Sequence, residues 1–279
     1  MKLHFKLLII LFSIGIQQAN CQFYYTDILA NKLTNVNYVA FKNNKIKNII
    51  ISNGNQAEDE EKLVKIKQHF SNNWQQLTTQ TNLPNGEQRI ATTTYLNNKI
   101  LKKEDEGLNI NSLIRFEYDN SEKLTAIRTS SIDTSVSDGF FEKHLFFYGT
   151  DGKPTKMYKI KNSTDTTTVT FLKDEQQNIA EEKWMRNNKI IETYYYYYNE
   201  KNMLTDIVRF NPKYEKMLPE FLFEYNENNQ ISQLTQVPYG SGNYTICKYL
   251  YNANGLKTTE TLFTKKGEML SKIEYVYEF

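Results

Sequence analysis

Cysteine is almost absent from this chain of 279 residues, which contains only Cys21 and Cys247. Cys21 lies at the end of a candidate export signal, so the exported chain would keep Cys247 alone. A single thiol cannot form an internal disulfide, which excludes a disulfide framework. Because Cys247 alternates with Tyr249 and Tyr251, we expect it to be a small buried residue rather than a nucleophile.

The chain also lacks an excess of charge of either sign. It contains 34 basic and 32 acidic residues. Removal of the first 21 residues would take away Lys2 and Lys6 and leave a chain of nearly zero net charge. A nucleic-acid binder needs a basic footprint, so we expect no nucleic-acid partner.

Long hydrophobic runs are missing beyond the N-terminus. Residues 7–16 form an apolar segment after Lys2 and Lys6, which is too short to span a bilayer and is typical of a signal peptide. We therefore predict a signal peptide over residues 1–21, with no transmembrane segment after its removal. The mature protein would be periplasmic, extracellular or on the cell surface, and the alternative is a lipoprotein anchored through Cys21.

Recognisable catalytic and metal-binding patterns are missing as well. The chain has no G-x-S-x-G, no H-E-x-x-H and no glycine-rich phosphate loop, and His69 and His144 lack ligand partners at metal-binding spacing. The acidic run 58–61 lacks the spacing of a calcium loop, and Glu181 and Glu182 point to opposite faces of a strand. We predict no catalytic residue, no metal and no cofactor. The alternative is a secreted, glycan-active hydrolase whose carboxylates come from separate repeats.

Aromatic residues, by contrast, are abundant, with 20 Tyr and 16 Phe, and they recur at a regular interval. Each of a series of alternating segments ends in an aromatic residue and is followed by a turn rich in Asn, Asp and Gly, as at 119–123, 199–203, 226–230 and 252–255. A period of about 26 residues indicates a repeat array in which each unit is one β-hairpin. The markers are Tyr95, Tyr118, Tyr148, Tyr198, Tyr225, Tyr251 and Tyr277, with Leu172 filling one slot and weaker matches at Phe41 and Phe70.

The segment YLYNANGL at 249–256 is echoed at 223–231 and 116–124. These segments resemble the Rhs/YD-repeat proteins, and more narrowly the short YD-like exported proteins of Bacteroidota. The resemblance covers residues 90–279 well, although Asp rarely follows the Tyr and the turn is often rich in Asn rather than Gly. It implies a fold of repeated hairpins and an exported location, and it implies no catalytic residue.

Counting markers and return strands predicts an all-β fold, a long antiparallel meander of about 19 strands in one domain over 22–279. A sheet this wide should twist or partly roll, with the aromatic face on its concave side, and the alternative is closure into a barrel or a two-sheet sandwich. We expect residues 22–35 to lead into the sheet, 37–52 to form the first hairpin, and 62–70 to be a strand or short helix.

These features together predict an exported, non-enzymatic binding or scaffold protein of the bacterial cell envelope, whose ligand is a glycan or a protein. Tyr195 and Tyr197 lie on the face opposite Tyr194, Tyr196 and Tyr198, so they are the candidate exposed binding surface. The last strand has no return partner after it, so we expect it to be a free edge. Lys272, Glu274 and Val276 are its candidate contacts with a partner or a second copy.

Overall fold

The computed structural model describes residues 25–53, 65–83, 86–107, 110–133 and 138–279. The predicted signal peptide 1–21, with Cys21, and the acidic run 58–61 lie outside these ranges. The described residues form one helix and 18 strands, in the order α1 (Tyr25–Asn43), β1 (Asn48–Asn53), β2 (Lys65–Phe70), β3 (Gln76–Asn82), β4 (Gln88–Leu96), β5 (Lys99–Glu106), β6 (Ile110–Tyr118), β7 (Leu124–Asp133), β8 (Asp138–Tyr148), β9 (Pro154–Lys161), β10 (Asp165–Lys173), β11 (Ile179–Arg186), β12 (Lys189–Tyr198), β13 (Leu204–Asn211), β14 (Lys216–Tyr225), β15 (Ile231–Gln236), β16 (Thr245–Tyr251), β17 (Lys257–Thr264) and β18 (Met269–Glu278).

The strands close into a barrel. Each strand pairs antiparallel with the next along the chain, and β1 pairs antiparallel with β18, with Ile49 opposite Tyr277 and Ile51 opposite Tyr275. An even number of alternating strands lets the last run antiparallel to the first, so the ladder has no interruption. The predicted all-β meander of hairpin repeats is confirmed, but the sheet is closed rather than partly rolled.

Closure corrects the prediction of a free C-terminal edge. On one side of β18, Glu274 pairs with Thr259 of β17. On the other side Glu274 pairs with Ser52 and Val276 pairs with Ile50, both on β1. Lys272, Glu274 and Val276 therefore belong to a strand paired on both sides, and the backbone groups that an added strand would use are already occupied.

The hairpin turns repeat in conformation although their sequences differ. In each turn that follows an even-numbered strand from β6 to β16, the first turn residue donates its backbone N–H to the carbonyl four residues later, as Asp119 does to Lys123 and Asn252 does to Leu256. The residue before the last in the turn has a positive φ in every case, which suits Gly and Asn but also falls on Glu122. The predicted turns 119–123, 199–203, 226–230 and 252–255 are confirmed.

On six of the even-numbered strands, β6, β8, β12, β14, β16 and β18, the tyrosine at or next to the end of the strand joins neighbouring repeats. Its hydroxyl donates to a backbone carbonyl at the start of the preceding odd-numbered strand, over 2.6–2.8 Å. This geometry explains why Tyr rather than Phe recurs at the position. The six pairs are Tyr118 with Ile100, Tyr148 with Leu124, Tyr198 with Ile179, Tyr225 with Leu204, Tyr251 with Ile231 and Tyr277 with Lys257.

Leu172 does not fill the tyrosine slot of β10. Leu172 is 48% exposed, whereas Phe171 beside it is buried. The turn begins at Asp174, which donates to the carbonyl of Asn178, so the slot belongs to Lys173. The marker was misplaced by one residue because Lys173 is not aromatic, and its ammonium instead forms an ion pair with Asp151.

The N-terminal segment forms a helix, which corrects the predicted first hairpin over 37–52 and the marker at Phe41. Asp27 lies in the first turn of α1 and Lys42 in the last, where each complements the helix dipole. Only the second half of the predicted hairpin is a strand, β1. The loss of this hairpin accounts for a strand count of 18 rather than about 19.

The core of the barrel consists of two clusters of inward-facing side chains. One includes Phe146, Met157 and Tyr196, and Tyr25 and Ile28 of α1 pack against it. The other contains Tyr38 of α1 together with residues of β1–β5. Helix α1 therefore lies against the inner wall, at the end of the barrel where the even-numbered strands end.

Candidate functional site

Tyr195 and Tyr197 lie on the outer wall of the barrel, as the alternation of β12 predicted. Tyr194 and Tyr196, which alternate with them along β12, are 1% and 3% exposed, while Tyr197 is 52% exposed. Tyr195 pairs with Val208 and Tyr197 with Asp206 on β13. The structure thus places both predicted residues on a solvent-facing surface without testing what they bind.

Apolar side chains extend this surface across β12–β14. Val208 pairs with Pro219, and Phe210 pairs with Met217. Pro219 lies beside a register shift in β14, where a missing N–H is tolerated within a sheet. Phe210, Met217 and Ile191 are 50%, 45% and 50% exposed. We call the group formed by Ile191, Tyr195, Tyr197, Val208, Phe210 and Met217 the outer patch.

Elsewhere the outer wall carries pairs of opposite charge on its strands. Examples are Lys102 with Glu104 at 2.8 Å and Lys272 with Glu274 at 2.5 Å. Lys183 and Glu181, 3.0 Å apart, border the outer patch, because Glu181 pairs with Tyr195. The outer patch is thus an apolar surface with a charged margin, which is the composition of many interaction sites.

The inner wall binds the start of α1 through a buried carboxylate. Glu182 is fully buried and accepts hydrogen bonds from the Tyr196 hydroxyl at 2.6 Å, the Trp184 indole at 2.5 Å and the backbone N–H of Tyr25 at 2.9 Å. The last contact places a negative charge at the positive end of the helix dipole. Desolvation and the Glu182 carboxylate raise the pKa of Tyr196 well above its usual value.

A second buried cluster joins α1 to β8 and β9. His144 Nδ1 lies 2.7 Å from Asp27 of α1, and Nε2 lies 2.8 Å from Glu142. Glu142 is also 3.1 Å from Lys159 Nζ and 3.7 Å from Lys161 Nζ. The cluster is thus a chain of alternating charges that links the helix to the wall.

The surroundings of this cluster shift its protonation strongly. Burial alone would lower the pKa of His144, but Asp27 and Glu142 raise that pKa to about 9. Burial would raise the pKa of Glu142, but His144 and Lys159 lower it to about 2. Burial lowers the pKa of Lys159, against the opposing effect of Glu142. His144 is therefore an imidazolium at neutral pH and donates to a carboxylate from each ring nitrogen.

Arg209 forms a third buried charge cluster on the inner face of β13. Its guanidinium lies 2.5 Å from Glu220 and 2.9 Å from Glu192, and Tyr239 stacks on it with 3.7 Å between Arg209 Cζ and the ring centre. The cavity beside Arg209 measures about 10 Å³, which is roughly the space of one water molecule. A larger, open groove of about 540 Å³ lies along the 199–203 turn and Phe223 and Tyr225.

Neither histidine nor cysteine is arranged as a familiar catalytic or metal site. Among the described residues, no group of three or more His, Cys, Asp or Glu side chains is placed to hold a metal ion. Cys247 is half-buried, and burial raises the pKa of its thiol, which disfavours the thiolate. His69 accepts or donates one hydrogen bond with Asn48 at 2.8 Å.

Sequence reasoning did not find the contact of Glu182 with the backbone of Tyr25 or the contact of Asp27 with His144. For His144 the sequence showed only that it lacks a metal-ligand partner at binding spacing, although its position two residues before Phe146 predicts an inward orientation. Its partner Asp27 is 117 residues away, and Tyr25 is 157 residues from Glu182. No spacing rule within a segment reaches that far.

Comparisons with known proteins leave the family open. No family model matches the chain, and no curated protein matches it. A porin-like protein from Bacteroides uniformis is 10% identical, with 84% of this chain and 98% of that chain covered and a TM-score of 0.39. The Photorhabdus luminescens Tc holotoxin pore is 12% identical over 74% of this chain, with a TM-score of 0.37, and a TcdB2-TccC3-Cdc42 structure is 13% identical over 71%, with a TM-score of 0.35.

The chain spans about a tenth of the length of the two toxin chains, 11% in each case. All three TM-scores are below 0.5, so no activity or partner follows from these likenesses. Within the described residues, no helix combines the length and apolar character needed to cross a bilayer.

Proposed function

We propose that this chain is an exported, non-enzymatic binding protein of the bacterial cell envelope that presents the outer patch to a partner protein with an apolar surface. The observation that carries the proposal is the adjacency of apolar side chains on the outer face of β12–β14, where Phe210 lies opposite Met217 and Val208 lies opposite Pro219. A water-facing strand gains nothing from exposing Phe210 and Met217 side by side, whereas a contact surface does.

The composition of the outer patch favours a protein over a glycan. Sugar sites combine a flat aromatic ring with several polar groups that fix the hydroxyls. The outer patch combines two tyrosines with Ile191, Phe210 and Met217, and aromatic residues and methionine are enriched in the centres of protein interfaces. A charged margin, supplied here by Glu181 and Lys183, completes the usual arrangement of an apolar centre and a polar rim.

The wall charges support a barrel that stands in water. Arg128 and Glu117 form an ion pair on the outer face and are each 44% exposed. A basic residue facing lipid at the membrane midplane costs about 2–4 kcal/mol. Aromatic residues are concentrated on the inner wall instead, whereas a membrane barrel carries its aromatic girdles on the outer surface.

The test is crosslinking from the outer patch in cells of the source organism. A photoreactive residue at Tyr197 should give a crosslinked partner of one size, and the double substitution Tyr195→Ser and Phe210→Ser should prevent its capture. Phe147→Ser is the matched control, because Phe147 is also an outward aromatic residue, 44% exposed, but lies on β8.

Several outcomes would contradict the proposal. Crosslinking that is unaffected by the double substitution would place the partner elsewhere on the barrel. Binding to a glycan array that is lost in the double variant but kept in Phe147→Ser would make the ligand a glycan. Hydrolysis of a polysaccharide by the purified chain, lost on substitution of a single carboxylate, would replace the proposal with an enzyme.

A further inference from the structure

The central turns of helix α1 contact the barrel through polar side chains, whereas Tyr25, Ile28, Tyr38 and Phe41 nearer its ends pack against the core. Asn31 and Tyr38 are 8% and 3% exposed against the wall, whereas Leu33 and Val36 on the opposite face are 52% and 56% exposed. A helix that belongs to a core normally buries its apolar stripe. The reversed orientation of α1 means that little hydrophobic burial holds its central turns in place.

Directional polar contacts hold the helix instead, about one for each turn. The Asn31 amide donates to the Tyr118 hydroxyl at 2.8 Å, and the Asn35 side-chain oxygen accepts from the backbone N–H of Ile100 at 2.9 Å. The Tyr38 hydroxyl donates to the carbonyl of Trp74 at 2.8 Å. Together with the Glu182 and His144 contacts of the first turn, these bonds run the length of α1.

Aromatic contacts are confined to the two ends of the helix. Tyr25 packs edge-on against Tyr196, with ring centres 5.3 Å apart. Tyr38 stacks on Tyr95 at 4.0 Å. These rings cover part of the inner wall that would face the lumen in the absence of α1.

The strand pairing of the barrel does not pass through α1. All 18 strand pairs, including that between β1 and β18, are formed by strand residues alone. The link from helix to barrel is the short segment 44–47, in which Lys45 has a φ of 55° and Ile46 is fully buried. Departure of α1 up to this anchor would therefore break no strand pairing.

We propose that α1 is a releasable plug, which leaves the inner wall as a unit while the barrel stays closed and thereby opens a docking site for a helical peptide with a polar face. The wall offers a carboxylate for a helix N-terminus at Glu182, an imidazolium for an acid at His144, and hydrogen-bonding groups at Tyr118 and Ile100. In the closed state α1 occupies this site within its own chain. The proposal is independent of the outer patch.

Native-state hydrogen exchange on the full chain tests the release. Amides of α1 should open with a smaller free energy and a weaker urea dependence than amides of β8–β12, because local opening exposes less surface than unfolding. Asn35→Ala should accelerate exchange in α1 about tenfold, since it leaves the Ile100 N–H without its acceptor. Asn37→Ala is the matched control, because Asn37 lies on the exposed face of the same helix, and it should not accelerate exchange.

A labelled peptide with the sequence of residues 25–43 tests the docking site in the same full-length variants. It should bind Asn35→Ala more tightly than wild type, because a loosened plug competes less, and a peptide carrying Asp27→Asn should bind more weakly. If the α1 amides exchange only through global unfolding, in wild type and in Asn35→Ala alike, the proposed release of α1 is wrong. Local opening without peptide binding would overturn the docking site.

Discussion

Two arcs of this barrel are built from the same hairpin repeat and yet bury their inner faces to different extents. On β8, β10 and β12, which α1 contacts, the inner aromatic residues Phe146, Phe171 and Tyr196 are 4%, 5% and 3% exposed. At the same repeat position on β14 and β16, Phe223 and Tyr249 are only half-buried. Contact with the helix therefore accompanies deep burial of this position on β8, β10 and β12, although Phe116 at the same position of β6 is half-buried.

The size of the barrel explains why one helix cannot contact the inner wall of both arcs. With about 4.8 Å between strands, 18 strands give a wall on the order of 85 Å around, whereas a helix with its side chains is only about 10 Å across. The contacts of α1 lie on the arc from β1 to β12, and Phe41 of α1 also packs against Tyr277 of β18, with ring centres 6.1 Å apart. The arc from β13 to β17 satisfies its inner groups from its own repeats.

Two buried glutamates show how the inner polar groups of each arc obtain their partners. Glu182 and Glu260 lie three residues after the first residue of β11 and β17, and each accepts a hydroxyl from a tyrosine of the following strand, Tyr196 or Tyr275. Glu182 then binds the N-terminus of α1, while Glu260 binds the ammonium of Lys257. The same carboxylate position thus takes its positive partner from the helix in one arc and from the repeat in the other.

Truncating an inner aromatic residue in each arc should give the largest difference. Phe146→Ala should cost about 3–5 kcal/mol of unfolding free energy, because the enclosed cavity cannot collapse. Phe223→Ala should cost clearly less, since part of its surface is already in contact with solvent. Urea unfolding of both variants measures the difference, and equal costs would mean that α1 does not create the contrast.

The His144 cluster should make stability depend on pH in the covered arc. The pKa of His144 is raised to about 9 from the ordinary 6.5. The stability that the charged imidazole adds is therefore complete below about pH 6.5 and is lost as the pH rises through about 9. The loss is at most about 3 kcal/mol. His144→Gln should flatten urea midpoints between pH 6 and pH 9.5, and an unchanged slope would assign the dependence to other groups.

Glu142 should affect stability over a separate, acidic pH range. Its pKa is lowered to about 2 from 4.5, so its contribution is present above about pH 4.5 and disappears as the pH falls towards 2. The equivalent of His144 on β16 is Cys247, four residues before the terminal tyrosine. Cys247→Ala should therefore leave both windows unchanged, which makes it the matched control in the uncovered arc.

The tyrosine hydroxyls should differ between arcs by a smaller amount. Tyr225→Phe removes one hydrogen bond to the Leu204 carbonyl and should cost about 1 kcal/mol. Tyr118→Phe removes the bond to Ile100 and also the acceptor of the Asn31 amide, so it should cost about 2 kcal/mol. Double-mutant cycles with Asn31→Ala would assign the extra cost, and a coupling near zero would show that Asn31 contributes nothing there.

Sequence reasoning succeeded wherever structure is decided within one repeat. The separation of Tyr194 and Tyr196 from Tyr195 and Tyr197 on β12 followed from alternation, which acts over a few positions. The turns followed from their Asn, Asp and Gly content. Barrel closure was only the alternative prediction, because the pairing of β1 with β18 joins opposite ends of the chain.

The helix was missed because short apolar runs are ambiguous. The alternation around Tyr38 and Phe41 resembled a strand, although Leu29, Leu33, Val36 and Ala40 recur at helical spacing. The buried clusters depended on that helix, so Glu182 and His144 could not be interpreted from their own segments. The outer patch shows the converse, since Tyr195 and Tyr197 could be located from alternation but Phe210 and Met217 required the strand register.

The outer ion pairs should have the smallest effect, because they face solvent and α1 contacts only the inner wall. Glu117→Gln breaks the pair with Arg128, and Glu274→Gln breaks the pair with Lys272, whose side chains are 36–45% exposed. Exposed pairs contribute about 0–1 kcal/mol and are screened by salt, so each variant should lose less than about 0.5 kcal/mol in urea unfolding at 0.15 M salt. A loss above about 1 kcal/mol in either variant would mean that this pair contributes more than a solvated ion pair does, and α1 could not be its direct cause, because it contacts only the inner wall.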